Sequence, residues 1–171
     1  MTNSATNNDS ALPPAIIDAV QASLDKTYAA FFSEKPIPRA NGQDHHNGPC
    51  IAGIISFLGE VPWSLSWILS EETAPRLAQK FTGFEIPFDS SDMGDMAGEL
   101  VNVIAGEIVA QLEKRRIKSQ MSLPTVARGR PLELVPDKGP SIAYLEYTSK
   151  EGVFWFRLAA AKNYSARVPG K

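Results

Sequence analysis

Cysteine is nearly missing from this chain, and that shortage is the first constraint on what it does. Cys50 is the one cysteine among 171 residues, so an intrachain disulfide and a cysteine metal cluster are both excluded. Long apolar runs are missing as well: no stretch approaches the roughly 20 residues that a membrane span requires. The opening residues, MTNSATNNDSA, carry no Lys or Arg ahead of an apolar stretch and do not read as a secretory signal. A basic excess is also wanting. Lys and Arg number 17 against 19 Asp and Glu, a net charge of -2, which leaves no electrostatic footprint for nucleic acid. Gly-rich phosphate loops, H-E-x-x-H and Gly-x-Ser-x-Gly do not occur. The absences point to a cytoplasmic protein with neither a membrane nor a nucleic-acid partner.

What is present fits one soluble domain, since 43% of residues are hydrophobic and 21% charged, enough of both for a core and a solvated surface. Residues 1–12 read as a polar lead-in too poor in apolar groups to order itself. The domain runs over 13–161, and 162–171 read as a tail. Pro13 and Pro14 precede Ile17, Val20, Leu24, Tyr28 and Phe31 at helical spacing, and Pro is tolerated in a first turn. Pro36 and Pro38 stop that helix, and 33–49 read as a long exposed loop with turns at Asn41-Gly42 and Asn47-Gly48.

Residues 50–58 (CIAGIISFL) form a short, β-branched apolar run, expected as a strand buried on both faces. After a turn, Trp63, Leu65, Trp67 and Leu69 alternate with Ser64, Ser66 and Ser70, the pattern of a half-buried strand paired with the first. Trp63 and Trp67 are expected in the core. A short helix starts near Thr73 and stops at Gly83. A long helix begins at Ser90, Ser91 or Asp92 and is expected to reach Lys118. Its last turn would hold Lys114, Arg115, Arg116 and Lys118, where cations complement the helix dipole. Strands follow over 121–127, 141–147 and 153–160, the last two joined by a hairpin-like Ser149-Lys150-Glu151-Gly152. Of Phe154, Trp155 and Phe156 at least one must face outward, a candidate dimer contact. The predicted fold class is α+β, with long helices packed on a mainly antiparallel sheet.

The long helix carries the candidate chemistry. With 100° per residue and Glu99 at zero, Ala97, Leu100, Val101, Ile104, Ile108 and Leu112 gather within about 80° of the opposite pole. Asp95, Glu99 and Asn102, at i, i+4 and i+7, stand above one another on the near side. Gly106 and Ala110 continue the ridge without bulk, so a partner can approach the backbone below Asn102. Every surface helix has a polar face, but Asn is a poor helix-interior residue, and Gly98 and Gly106 cost about 1 kcal/mol each relative to Ala. A helix selected for stability alone would avoid them.

Asp95-x-x-x-Glu99-x-x-Asn102, followed by Pro124, resembles the signature of the CheX/CheC chemotaxis phosphatases. GELVNVIAG (98–106) is similar to that family's helix, SLPTVARG (122–129) to its following strand, and GIISFLGEVPWSLSWILSEETAPRLAQKFTG (53–83) to its strand–turn–strand–helix unit. The resemblance spans residues 14–160. One motif copy is present, as in the CheX type, which pairs as a homodimer. The resemblance implies a phosphatase acting on the aspartyl-phosphate of a phosphorylated response-regulator receiver domain. Asn102 would orient the attacking water and Glu99 would pair with the receiver's active-site Lys. Asp95 and Gly106 would support docking, and Pro124 would shape the strand. No cofactor of its own is implied, because the receiver supplies Mg²⁺.

Three other readings compete with this one. A module that captures a phosphorylated receiver without hydrolysis, and a flagellar-switch scaffold, both sit poorly with an intact Glu99 and Asn102. A metal hydrolase using Asp95, Glu99 and His45 lacks ligands at helical spacing, and His45-His46 beside Asp44 reads as a solvated loop rather than a metal centre.

Overall fold

The computed structural model describes residues 12–39, 48–134 and 140–161. Residues 1–11 of the expected lead-in, the tail over 162–171, and Asp44, His45 and His46 lie outside the described residues, whereas Leu12, expected in the lead-in, is buried in the core because it packs with the main apolar cluster. The elements are α1 (Pro14–Phe32), β1 (Ile37–Arg39), β2 (Cys50–Gly59), β3 (Trp63–Ser70), α2 (Thr73–Thr82), α3 (Ser91–Lys114), β4 (Ser119–Met121), β5 (Thr125–Gly129), β6 (Pro140–Thr148) and β7 (Val153–Ala161).

The strands form one sheet in the order β1-β6-β7-β3-β2-β4, with β5 also on β2, and the pairings are antiparallel throughout. Period-two alternation sends Ile51, Ile55 and Phe57 of β2, Trp63, Leu65, Trp67 and Leu69 of β3, and Phe154, Phe156 and Leu158 of β7 to the helix side. There they meet Ile16, Val20, Leu24 and Tyr28 of α1 and the apolar stripe of α3. Aromatic rings hold the centre: Phe57 stacks on Trp63 at 4.1 Å between centroids, and Tyr28 on Phe154 at 5.2 Å.

The other face carries a smaller cluster of Cys50, Ala52 and Ile68, joined by Ile54, Leu132, Leu134 and Trp155. Trp155 is thus the outward member of its aromatic triplet, packed against this cluster. Among the described residues no helix is long and apolar enough to cross a membrane.

Four local expectations need correction. The loop over 33–49 contains a strand, β1, whose Ile37, Pro38 and Arg39 pair with Thr148, Tyr147 and Glu146. Pro38 is tolerated because β1 lies at the sheet edge, and Arg39 is tied to Glu146 by a 2.7 Å ion pair. The strand β3 is buried on both faces rather than one, with Ser66 and Ile68 also inaccessible, because it lies between β7 and β2 and Ile68 is covered by the second cluster.

Helix α3 ends at Lys114, not Lys118. Arg116 turns to a left-handed φ of 61°, its N–H and that of Ile117 donate to Glu113 and Leu112 carbonyls, and Lys118 falls in the turn. Finally, the single strand expected over 121–127 is two. Met121 pairs with Phe57 and Thr125 with Ile54, so four steps on one strand match three on the other. One extra residue makes a bulge at 122–124.

A candidate active site on the third helix

Helix α3 begins cleanly: Ser90 is its N-cap, and its Oγ accepts a hydrogen bond from Met93 N–H. Its inner side buries Met93, Met96, Ala97, Leu100, Val101, Ile104, Ile108 and Leu112. The helix lies unusually close to the sheet because β2 offers Gly53 beneath it. A methyl at Gly53 would come within 2.7 Å of Val101 Cγ1 and 3.0 Å of the Ala97 carbonyl. Gly98 faces β5 less tightly, where an added Cβ would meet Val126 Cγ2 at 3.4 Å, an ordinary contact. The glycine that looks wasteful for helix stability is a contact with the edge strand.

The outer side is open. Asp95 and Glu99 are exposed and Asn102 is half-buried. Among the described residues none of the three side chains has a hydrogen-bond or ion-pair partner. Gly106, also exposed, would meet nothing within 4 Å if it carried a Cβ. The structure therefore places Asp95, Glu99, Asn102 and Gly106 on one accessible ridge.

Pro124 sits apart from the ridge, half-buried in the bulge between β4 and β5. The bulge is pinned by Ser122: its N–H donates to Ser56 C=O at 2.9 Å, and its Oγ accepts from Ser56 N–H at 3.1 Å. Leu123 beside it is 87% exposed, an unusual position for leucine. Asn102 comes one turn after Gly98 on the flank of α3 that faces this edge. Two turns further on, Val109 lines a groove of about 500 Å³ with Leu58, Glu113 and Ile117.

On the opposite flank Glu107 binds Lys26 of α1 at 2.7 Å and accepts from Gln111 at 2.9 Å. Burial pushes the Glu107 carboxyl up, but those two partners outweigh it and hold the group below the usual glutamate range. Charge on this flank is satisfied within the chain. On the ridge it is not.

Sequence reasoning missed two arginines that hold the start of α3. Arg128 Nη1 donates to the Phe88 carbonyl and, at 3.0 Å, to the Ser90 carbonyl. Arg130 Nη2 binds Asp89 at 2.6 Å and Glu71 at 2.8 Å. Both guanidinium groups lie over the ring of buried Phe88, at 5.9 and 5.4 Å from its centroid. The faint signal was spacing: residues two apart in extended chain share a side, and Arg130 lies one residue past the end of β5. Among the described residues no group of three or more His, Cys, Asp or Glu is placed to hold a metal ion.

The family described as chemotaxis phosphatase CheX matches residues 51–145, a stretch that contains α3, the bulge and both arginines. The chain belongs to the CheX family. Solved structures agree on the fold. A CheC-like superfamily protein from Shewanella sp. PV-4 superposes with a TM-score of 0.76 at 19% identity, covering 86% of this chain and 98% of that one. CheX from Vibrio vulnificus gives 0.73 at 20% identity, covering 84% and 97%. CheX of the CheX–CheY–BeF3–Mg²⁺ complex from Borrelia burgdorferi gives 0.68 at 20% identity, covering 85% and 96%. Comparison with curated proteins gives no match. In this CheX family member the region outside the matched stretch includes α1, which packs on α3, and β7.

Proposed function

We propose that this chain is a phosphatase that hydrolyses the aspartyl-phosphate of a CheY-like receiver domain, with Asn102 orienting the water and Glu99 docking the partner. The observation that carries the reading is the pairing of Glu99 and Asn102 on a face whose polar groups have no partner within the described chain. Membership of the CheX family supports it, as does the Borrelia burgdorferi relative whose structure is a complex with CheY, BeF3 and Mg²⁺.

The chemistry follows from what an aspartyl-phosphate lacks. A receiver brings Mg²⁺ and a Lys that balance charge on the phosphoryl oxygens, but no fixed nucleophile. Phosphoryl transfer depends mostly on positioning and electrostatics. A carboxamide can accept from a water and donate to it, so Asn102 can hold one in line with phosphorus. A carboxylate there would repel the phosphoryl oxygens.

Glu99, one turn nearer the start of α3, meets the receiver's Lys and sets the register of docking. Asp95 supports that contact from the next turn, and Gly106 lets the partner approach the helix backbone. The chain needs no cofactor of its own in this reading. Cytoplasmic placement and a homodimer are carried over from the CheX type.

The test is phosphate release from a panel of phosphorylated receiver domains, with Asn102→Ala beside the wild type. Loss of an oriented nucleophile is expected to lower turnover about 100-fold while receiver binding and melting temperature hold. Glu99→Ala is expected to weaken both binding and turnover. Undiminished release by Asn102→Ala sinks the mechanism. Binding without release by the wild type converts the reading to a capture module.

A further inference from the structure

We propose that Arg128 is a positioning residue for this site: from β5 it fixes the start of α3, and so the register between the Glu99–Asn102 ridge and the bulged strand that follows Pro124. The inference rests on the phosphatase reading above. It begins with an oddity of the helix start. Three consecutive residues ahead of α3 are each held by an arginine. Arg128 takes the carbonyls of Phe88 and Ser90, and Arg130 takes the carboxylate of Asp89. Arg130 also reaches Glu71, in the turn before α2, so the clamp joins β5, the α2 approach and the α3 start. Phe88 is buried under both guanidinium groups.

Why this bears on chemistry, and not on stability alone, follows from what the clamp connects. Ser90 caps α3 through Met93 N–H, so whatever holds Ser90 holds the first turn. Asp95 comes one turn on from Ser91, and Glu99 and Asn102 follow on the same ridge. Arg128 belongs to the strand whose other end is the bulge at Pro124.

The inner packing of α3 decides how closely the helix lies on the sheet. Hydrogen bonds to its first carbonyls decide how far along the sheet it starts. Lysine could supply the charge at position 128 but not the fixed in-plane fork of the two N–H groups on Nη1, one for each carbonyl. A partner that docks across both ridge and edge strand meets them in one register only while the fork is closed. With the fork open it still docks, because Glu99 is intact, but Asn102 meets the phosphoryl group with a scatter of positions.

The experiment uses the full chain with Arg128→Ala and Arg128→Lys. Hydrogen exchange on the free protein is expected to accelerate at least tenfold for amides of residues 93–99 in Arg128→Ala, and to stay unchanged at 108–112. Kinetics use whichever receiver in an acetyl-phosphate-treated panel the wild type dephosphorylates in an Asn102-dependent way. For Arg128→Ala, kcat is expected to fall about tenfold with KM within twofold, and Arg128→Lys to recover part of kcat.

Unchanged exchange overturns the proposal, because the start of α3 is then fixed without the fork. Faster exchange with unchanged kcat also overturns it, leaving a structural contact only. Failure of the wild type on every receiver overturns the phosphatase reading instead, and exchange still reports whether the fork holds the helix.

Discussion

The two long sides of α3 are built to opposite rules. Inside, space is so short that β2 must present a bare glycine, Gly53, beneath Ala97 and Val101. Outside, a Cβ on a second glycine, Gly106, would meet nothing within 4 Å, and among the described residues two carboxylates and a carboxamide have no partner. The same residue type thus serves crowding on one side and vacancy on the other. Carboxylates divide likewise: Glu107 on the flank is held by Lys26 and Gln111, whereas Asp95 and Glu99 on the ridge have no such partner among the described residues. Stability is spent freely on the inner side and withheld from the outer one. That difference is what the proposed docking of a receiver on the ridge requires.

Adding one methyl to each glycine breaks the comparison in two directions. Gly53→Ala is expected to cost about 1–3 kcal/mol, since neither Val101 nor a helix carbonyl can yield without moving α3. Chemical denaturation measures it. A displaced helix should also lose phosphatase turnover, and a Gly53→Ala chain of wild-type stability would show that the seat is not tight. Gly106→Ala goes the other way. An exposed Gly-to-Ala change in a helix interior gains about 1 kcal/mol, and nothing outside the helix resists the methyl. Should the ridge be a docking face, the gain in stability comes with a raised KM for the phosphorylated receiver. A gain in stability with KM unmoved would place the partner elsewhere.

The inner side of α3 was readable from sequence because it obeys a period: Ala97, Leu100, Val101, Ile104, Ile108 and Leu112 fall together on any helical wheel, and all are buried. The antiparallel β2–β3 and β6–β7 pairs were readable for the same reason, at period two. Where the reading of strands failed, the deciding contact was distant in sequence. The strand β1 exists because β6, more than 100 residues later, offers it an edge, and three residues carry no usable period. The bulge at 122–124 depends on the register of β2.

At the site, residue types and spacing singled out Asp95, Glu99 and Asn102, and the ridge they share follows from helix geometry alone. That Gly98 lies against Val126 was not readable, because Val126 is on a strand that sequence could not dock. The clamp was hidden for related reasons: Arg128 acts on backbone carbonyls, which leave no trace in residue type, and Arg130 on Asp89 and Glu71, which are distant in sequence.

The smallest expected effect sharpens the contrast between lone and crowded carboxylates, at the far end of α1. Glu34, just past the α1 C-cap Ser33, lies against Glu151 of the β6–β7 hairpin. Burial raises the Glu34 carboxyl above its usual pKa, and the Glu151 side chain raises it further, while the Lys150 N–H, 3.4 Å from Glu34 Oε1, pulls the other way. The buried Tyr28 hydroxyl is raised as well, by burial first and then by the same two carboxylates.

A carboxyl whose folded pKa exceeds its unfolded one binds a proton on folding. Its contribution to stability is complete below the ordinary glutamate pKa of 4.5 and is lost as pH rises through the raised value. Glu34→Gln removes that dependence while keeping an acceptor for Lys150 N–H. The variant is expected to match the wild type in melting temperature near pH 4 and to exceed it at pH 8, by an amount smaller than the Gly106→Ala gain. Equal differences at both pH values would mean that Glu34 and Glu151 stand as separately solvated as Asp95 and Glu99.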